Sequence, residues 1–153
     1  MPKRPKTWIV VADGARGRFL KPDREAKKLV PAGPADLVSP QSLQRSRDLK
    51  SDKPGRNFRS AGSVVRHALE PPHDYHKLEK HRFTATLAKT LDDACKNGDY
   101  VELVVVAPRR SLGELRELMT KRVQACVHTE VAKDLTKETE ARLWRRLKPL
   151  LSP

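Results

Sequence analysis

The stretch that most restricts the fold of this chain is Val101–Ala107 (VELVVVA). It is almost continuously apolar and too short for a buried helix of ordinary length. It therefore reads as a central strand covered on both faces. Covering both faces needs helices, and the flanking patterns supply them. Before the strand, Phe83, Leu87, Leu91 and Ala94 follow helical spacing. Asp74 stands as an N-cap, and Asn97-Gly98 ends the pattern. After the strand, Pro108-Arg109-Arg110 terminates it, and Ser111-Leu112-Gly113-Glu114 has the form of a capping box. Leu112, Leu115 and Met119 continue that second helix.

Val123–Lys133 holds a further strand, with Val127, Thr129 and Val131 on one side. Asp134-Leu135-Thr136 is then expected to cap a last helix. Its inward residues are Leu143, Trp144, Leu147 and Leu150, and its outer side carries Arg142, Arg145, Arg146 and Lys148. This alternation of helix and strand argues an α/β domain with a partly parallel sheet.

The N-terminal half reads differently. Thr7–Ala12 (TWIVVA) and Ala15–Leu20 flank Asp13-Gly14, a hairpin signal for which a type I′ turn is expected. Lys28–Pro31 reads as a third short strand, 32–40 as a Pro/Gly linker, and 41–50 as an edge strand. The predicted class is thus α/β. A mixed sheet opens with an antiparallel β-hairpin and is flanked by about three helices, in one domain over residues 1–153.

Between these halves lies a long basic loop, 51–73. From Lys53 to Leu69 it carries Lys53, Arg56, Arg59 and Arg66 and no acid, and Gly55 and Gly62 keep it irregular. Connections of this length are uncommon in compact domains and are often functional. The helical stripe of the next segment, projected backward, lands on His76 and Lys80. The first turns of that helix are therefore expected to overhang the core and to join the loop. A net charge of +13 points the same way, toward a polyanion and most simply nucleic acid. An acidic protein or an anionic membrane surface is the second class of partner, and charge that serves only solubility is the third reading. Phosphate contacts would come from Lys53, Arg56, Arg59, Arg66, His76, Lys77, Lys80 and Arg82. Gly55 and Gly62 would permit close approach of the backbone. With aromatics at 5% of the chain, a stacking platform is not expected, so recognition rests on phosphate and shape.

Other chemistry finds less support. His73, His76 and His81 are close in sequence, but with Asp74 opening the helix His76 and His81 do not share a face, and neither cysteine is near them, so no metal site or cofactor is assigned. Asp13 ends a strand as a nuclease acid could, with Glu102, Asp99 and Asp134 as the candidate partners for it, but its turn already explains it. Ser60, Ser63 and Ser111 lack a nucleophile-elbow setting. Cys95 and Cys126 make no disulfide framework and read as small buried apolar residues. Trp8–Ala12 is too short for a secretory apolar region, and no apolar run suits a bilayer span. The expected compartment is therefore the cytoplasm.

Four motifs in order carry a resemblance. They are Trp8-Ile9-Val10-Val11-Ala12-Asp13-Gly14-Ala15-Arg16, Ser51-Asp52-Lys53-Pro54-Gly55-Arg56, the stretch from Val104 through Ala107-Pro108-Arg109-Arg110 to Arg116, and Lys133-Asp134-Leu135-Thr136. Together they resemble the bacterial host-attachment protein family. That family is similar to the central domain of archaeo-eukaryotic peptide-chain release factors and of pelota. The resemblance implies a ribonuclease-H-like arrangement and a ribosome-associated role contacting structured RNA. In release factors a Gly-Gly-Gln loop precedes a long helix with a basic start. Here Ser60–Arg66 stands at that place, with Gly62 for one glycine and Ser63 where glutamine would be sought. Without the glutamine, peptidyl-tRNA hydrolysis is not assigned, and the chain is read as a binding domain rather than an enzyme.

Overall fold

The computed structural model describes residues 4–39 and 73–151. The polypeptide opens with strand β1 (Thr7–Ala12), turns back through β2 (Arg16–Asp23) and adds β3 (Lys28–Pro31) and the short β4 (Leu37–Val38). Helix α1 (His73–Lys96) leads to β5 (Glu102–Ala107). Helices α2 (Arg109–Leu118) and α3 (Lys121–Cys126) then lead to β6 (Val127–Ala132). Helix α4 (Glu140–Leu147) follows, with a 3-10 turn over Lys148–Leu150.

One sheet runs β3-β2-β1-β5-β6, with β4 alongside β2. β1 pairs antiparallel with β2 and parallel with β5, and β5 pairs parallel with β6. The expected α/β class and mixed sheet hold. β5 is central, and Leu103 through Ala107 are fully buried. Alternate residues of β1 and β5 serve opposite faces, as the two-residue strand period requires. Trp8, Val10, Leu103 and Val105 pack under α1, α2 and α3 with Leu87, Leu91, Leu115 and Val123. Ile9, Val11, Val104 and Val106 pack against α4 through Leu143 and Leu147. Trp8 anchors the first face, its ring 5.2 Å from that of Tyr100 and 6.2 Å from that of Phe19.

Several local expectations are corrected. The hairpin forms, but neither Asp13 nor Gly14 has the positive φ of a type I′ turn. Asp13 Oδ1 instead accepts from the amides of Ala15 and Arg16, both at 2.7 Å, so a side chain closes the turn. Gly17 is required for a different reason. A Cβ there would stand 2.7 Å from Leu87 Cδ1, so the glycine lets α1 settle on the sheet. α1 starts at His73, one residue before the expected cap, and ends at Lys96, with Gly98 at a φ of 75° in the turn that follows. α2 begins at Arg109 with Pro108 at its N-cap, so Ser111 lies inside the helix and caps nothing. Val123 is in α3, not in a strand. That helix escaped the sequence reading because at six residues it is too short to show a period. It raises the expected three helices to four among the described residues. Thr139, not Asp134–Thr136, caps α4 by accepting from the Arg142 amide at 3.3 Å. The proposed edge strand at 41–50 lies outside the described residues.

Candidate nucleic-acid interface

The parallel strands β1, β5 and β6 all end at the same edge of the sheet. In open α/β sheets, ligands bind beyond the carboxyl ends of such strands. Here that edge carries Asp13-Gly14 after β1, Pro108-Arg109-Arg110 after β5, and Lys133-Asp134 after β6. Three of the four sequence motifs thus meet there. The join is physical: Thr136 Oγ1 lies 2.7 Å from Asp134 Oδ1 and 3.3 Å from Asp13 Oδ2, and the Thr136 amide donates to Asp134 Oδ1 at 3.2 Å. Asp99 and Glu102, the other acids considered for a nuclease, sit at the opposite edge, where Glu102 accepts from the Thr7 hydroxyl at 3.2 Å. Among the described residues, no three His, Cys, Asp or Glu side chains gather as metal ligands would.

The helix α1 reaches the same edge. It has 24 residues and is about 36 Å long at 1.5 Å per residue, against about 20 Å for a six-residue strand. Its buried stripe is Phe83, Thr84, Leu87, Ala88, Leu91 and Ala94. No residue from Lys77 to Arg82 is buried. The first turns therefore overhang the core, as expected. The Lys80 stem lies over the hairpin turn, its Cδ at 3.6 Å from where a Gly14 Cβ would be. Both flanks of the 40–72 segment are held at this edge: the Ser39 amide donates to the Ala15 carbonyl at 2.7 Å, and the segment leads into the overhanging end of α1.

Charge at the edge is divided unequally. The acids are engaged: Asp13 in its turn, Asp134 with Thr136, Glu79 with Arg82 at 3.0 Å, Glu114 with His81 at 3.5 Å, and Glu138 with Arg142 and Arg146. By contrast, Arg16, Lys77, Lys80, Arg109, Arg110 and Lys133 are exposed and form no ion pair among the described residues. The neighbouring Arg18 is structural. Its guanidinium bonds the Glu138 carbonyl at 3.2 Å and lies 3.5 Å from Glu140, which ties β2 to the start of α4.

Of the residues expected to touch phosphate, Lys77 and Lys80 belong to this free set. Arg82 is exposed but committed to Glu79. His76 falls in α1 by its backbone, and its side chain lies outside the described residues, as do Lys53, Gly55, Arg56, Arg59, Gly62 and Arg66. The sequence reading did not include Arg16, Arg109, Arg110 and Lys133 among its candidates, although they share this edge with Lys80. The available signal was the position of Arg109-Arg110 directly after a central parallel strand. A cavity of about 910 Å³ opens at the opposite edge, but its wall mixes Lys6, Lys21 and Arg24 with Asp23, Glu25 and Asp99.

Residues 8–147 match the family described as "Protein required for attachment to host cells". No curated protein matches the chain. A match across that much of the sequence places the chain in the family of proteins required for attachment to host cells.

Proposed function

We propose that this protein binds structured RNA, on the ribosome, through the carboxyl edge of its sheet together with the basic segment that leaves and returns there. The observation that carries the reading is the set Arg16, Lys77, Lys80, Arg109, Arg110 and Lys133. These are exposed cations without carboxylate partners among the described residues, beside acids that are already engaged. Lys53, Arg56, Arg59 and Arg66 add charge in the connecting segment. Cations held on strand ends and a helix fit a phosphate backbone and carry little base readout. The proposed kinship with release and rescue factors supports the ribosome as the address. The missing loop glutamine supports binding rather than hydrolysis. Crosslinking in cells, with recovery of the bound RNA, tests it. Ribosomal RNA enriched near the peptidyl-transferase centre is the expected result, and recovery of no RNA overturns the proposal.

The family description favours a second reading, an interaction protein that supports attachment through an acidic partner. No helix among the described residues is long and apolar enough to cross a membrane. Labelling of intact cells separates the two: protein reached by an impermeant reagent would favour attachment.

A further inference from the structure

The chain has two cysteines, and the fold brings them together although they stand 31 residues apart. Cys95 is in the last turn of α1, and Cys126 is the last residue of α3, directly before β6. Their Sγ atoms are 3.7 Å from each other. The approach is built from several contacts. Leu91 and Ala94 of α1 and Val123 of α3 share one buried cluster. Asp92 on α1 accepts from the Thr120 hydroxyl at 2.8 Å and lies 3.7 Å from the Arg122 guanidinium. Tyr100, buried next to the thiols, donates to the Leu91 carbonyl at 2.6 Å and fixes the chain leaving α1. Both cysteines are only partly buried, so a small reagent can reach them. The expectation of small buried apolar residues holds in part: both pack against the buried cluster, but each is only half-buried.

We propose that Cys95 and Cys126 form a reversible disulfide, a redox modification site stapling the end of α1 to α3 and the start of β6. The sulfurs need to close from 3.7 Å to about 2.05 Å, a shift within reach of χ1 rotation. With no third cysteine in the chain, the intramolecular partner is unambiguous. The oxidant is a low-molecular-weight disulfide. One cysteine thiolate attacks it and releases one small thiol, leaving a mixed disulfide. The second thiolate attacks the protein sulfur of that mixed disulfide and expels the other small thiol. The protein gives up two electrons and two thiol protons, and the small disulfide becomes two thiols. Burial, with Cys95 beside it, pushes the Cys126 thiol up, so its thiolate is scarce near neutrality and exchange is unhurried. In a reducing compartment the pair would cycle, and in an oxidising one it would stay closed.

The test places the reduced, folded chain in glutathione buffers of increasing oxidation, followed by acid quench, alkylation, intact mass and a non-reducing peptide map. The expected product is a monomer lighter by two hydrogens, with the Cys95 and Cys126 peptides linked and the bond reversed by dithiothreitol. Closing a loop of this length should raise the thermal midpoint by about 10 °C. Cys126→Ser should stop at a glutathione adduct on Cys95, which the wild type resolves. Two thiols still open to alkylation in the most oxidising buffer, with the far-UV spectrum unchanged, would overturn the proposal. So would a wild-type chain that halts at the mixed disulfide or links to a second copy.

Discussion

Thr136 Oγ1 lies 3.3 Å from Asp13 Oδ2, joining residues 123 positions apart where the ends of β1 and β6 meet. The one hydroxyl proton favours the closer Asp134 Oδ1 at 2.7 Å. Asp13 nonetheless holds the hairpin through two short amide bonds. The ends of the first and last strands thus come into contact at the edge that presents Arg109 and Arg110. Asp13→Ala leaves the amides of Ala15 and Arg16 without their acceptor and should cost about 2 kcal/mol. Asp13→Asn keeps one acceptor oxygen and should cost less. Urea unfolding of the two variants measures the difference.

Gly14 and Gly17 should respond oppositely to alanine. At Gly17 the new Cβ meets Leu87 Cδ1 at 2.7 Å, so Leu87, which is 2% exposed, must shift within the packed core. Gly17→Ala should destabilise by about 1–3 kcal/mol, the usual range for overpacking. At Gly14 the nearest atom is Lys80 Cδ at 3.6 Å, an ordinary contact, and φ is not positive. Gly14→Ala should be neutral or stabilising by up to about 1 kcal/mol. Adding Leu87→Val should recover part of the Gly17→Ala loss, a non-additivity read from a double-mutant cycle.

The global architecture was legible because it rests on periodicity. VELVVVA had to be central, and Phe83, Leu87, Leu91 and Ala94 had to face a sheet. The polar backward projection through Lys80 correctly marked the overhanging end of α1. Details set by single contacts were not legible. Asp-Gly suggested a type I′ turn, yet the carboxylate of Asp13 closes the turn without positive φ. Ser111 and Glu114 had the spacing of a cap, but α2 starts earlier, directly after Pro108, and takes both residues into its interior. Arg18 and Arg16 look alike in sequence, and only tertiary packing makes Arg18 a tie and leaves Arg16 exposed with no ion pair among the described residues. The nearness of Cys95 to Cys126 depends on how α3 lies against α1, which no local pattern encodes.

Thr120 links two helices: its hydroxyl accepts from the Val123 amide at 3.3 Å and donates to Asp92 at 2.8 Å. That donation, then Lys96, holds the Asp92 carboxyl below its ordinary range. Its folded value is therefore depressed, so its stabilisation is complete above the unfolded value of about 4 and fades as pH falls through the folded one. Thr120→Val should lose about 1 kcal/mol of capping at every pH, and a further part that is complete above about pH 4 and fades below it. Thr120→Ser should retain both. Chemical denaturation from pH 3 to pH 7 checks the sign: the gap between wild type and Thr120→Val should narrow toward acid.

The central claim is that free cations on the carboxyl edge bind structured RNA, and a salt titration tests it most directly. Fluorescence anisotropy would follow binding of the protein to ribosomal RNA fragments from low to physiological salt. The wild type should show log K falling linearly with log salt. Arg109→Ala with Arg110→Ala should reduce the slope by about 2 and weaken binding almost equally for all sequences. Arg82→Ala, already paired with Glu79, should change the slope much less. No binding at low salt, or a slope indifferent to the loss of Arg109 and Arg110, would contradict the account.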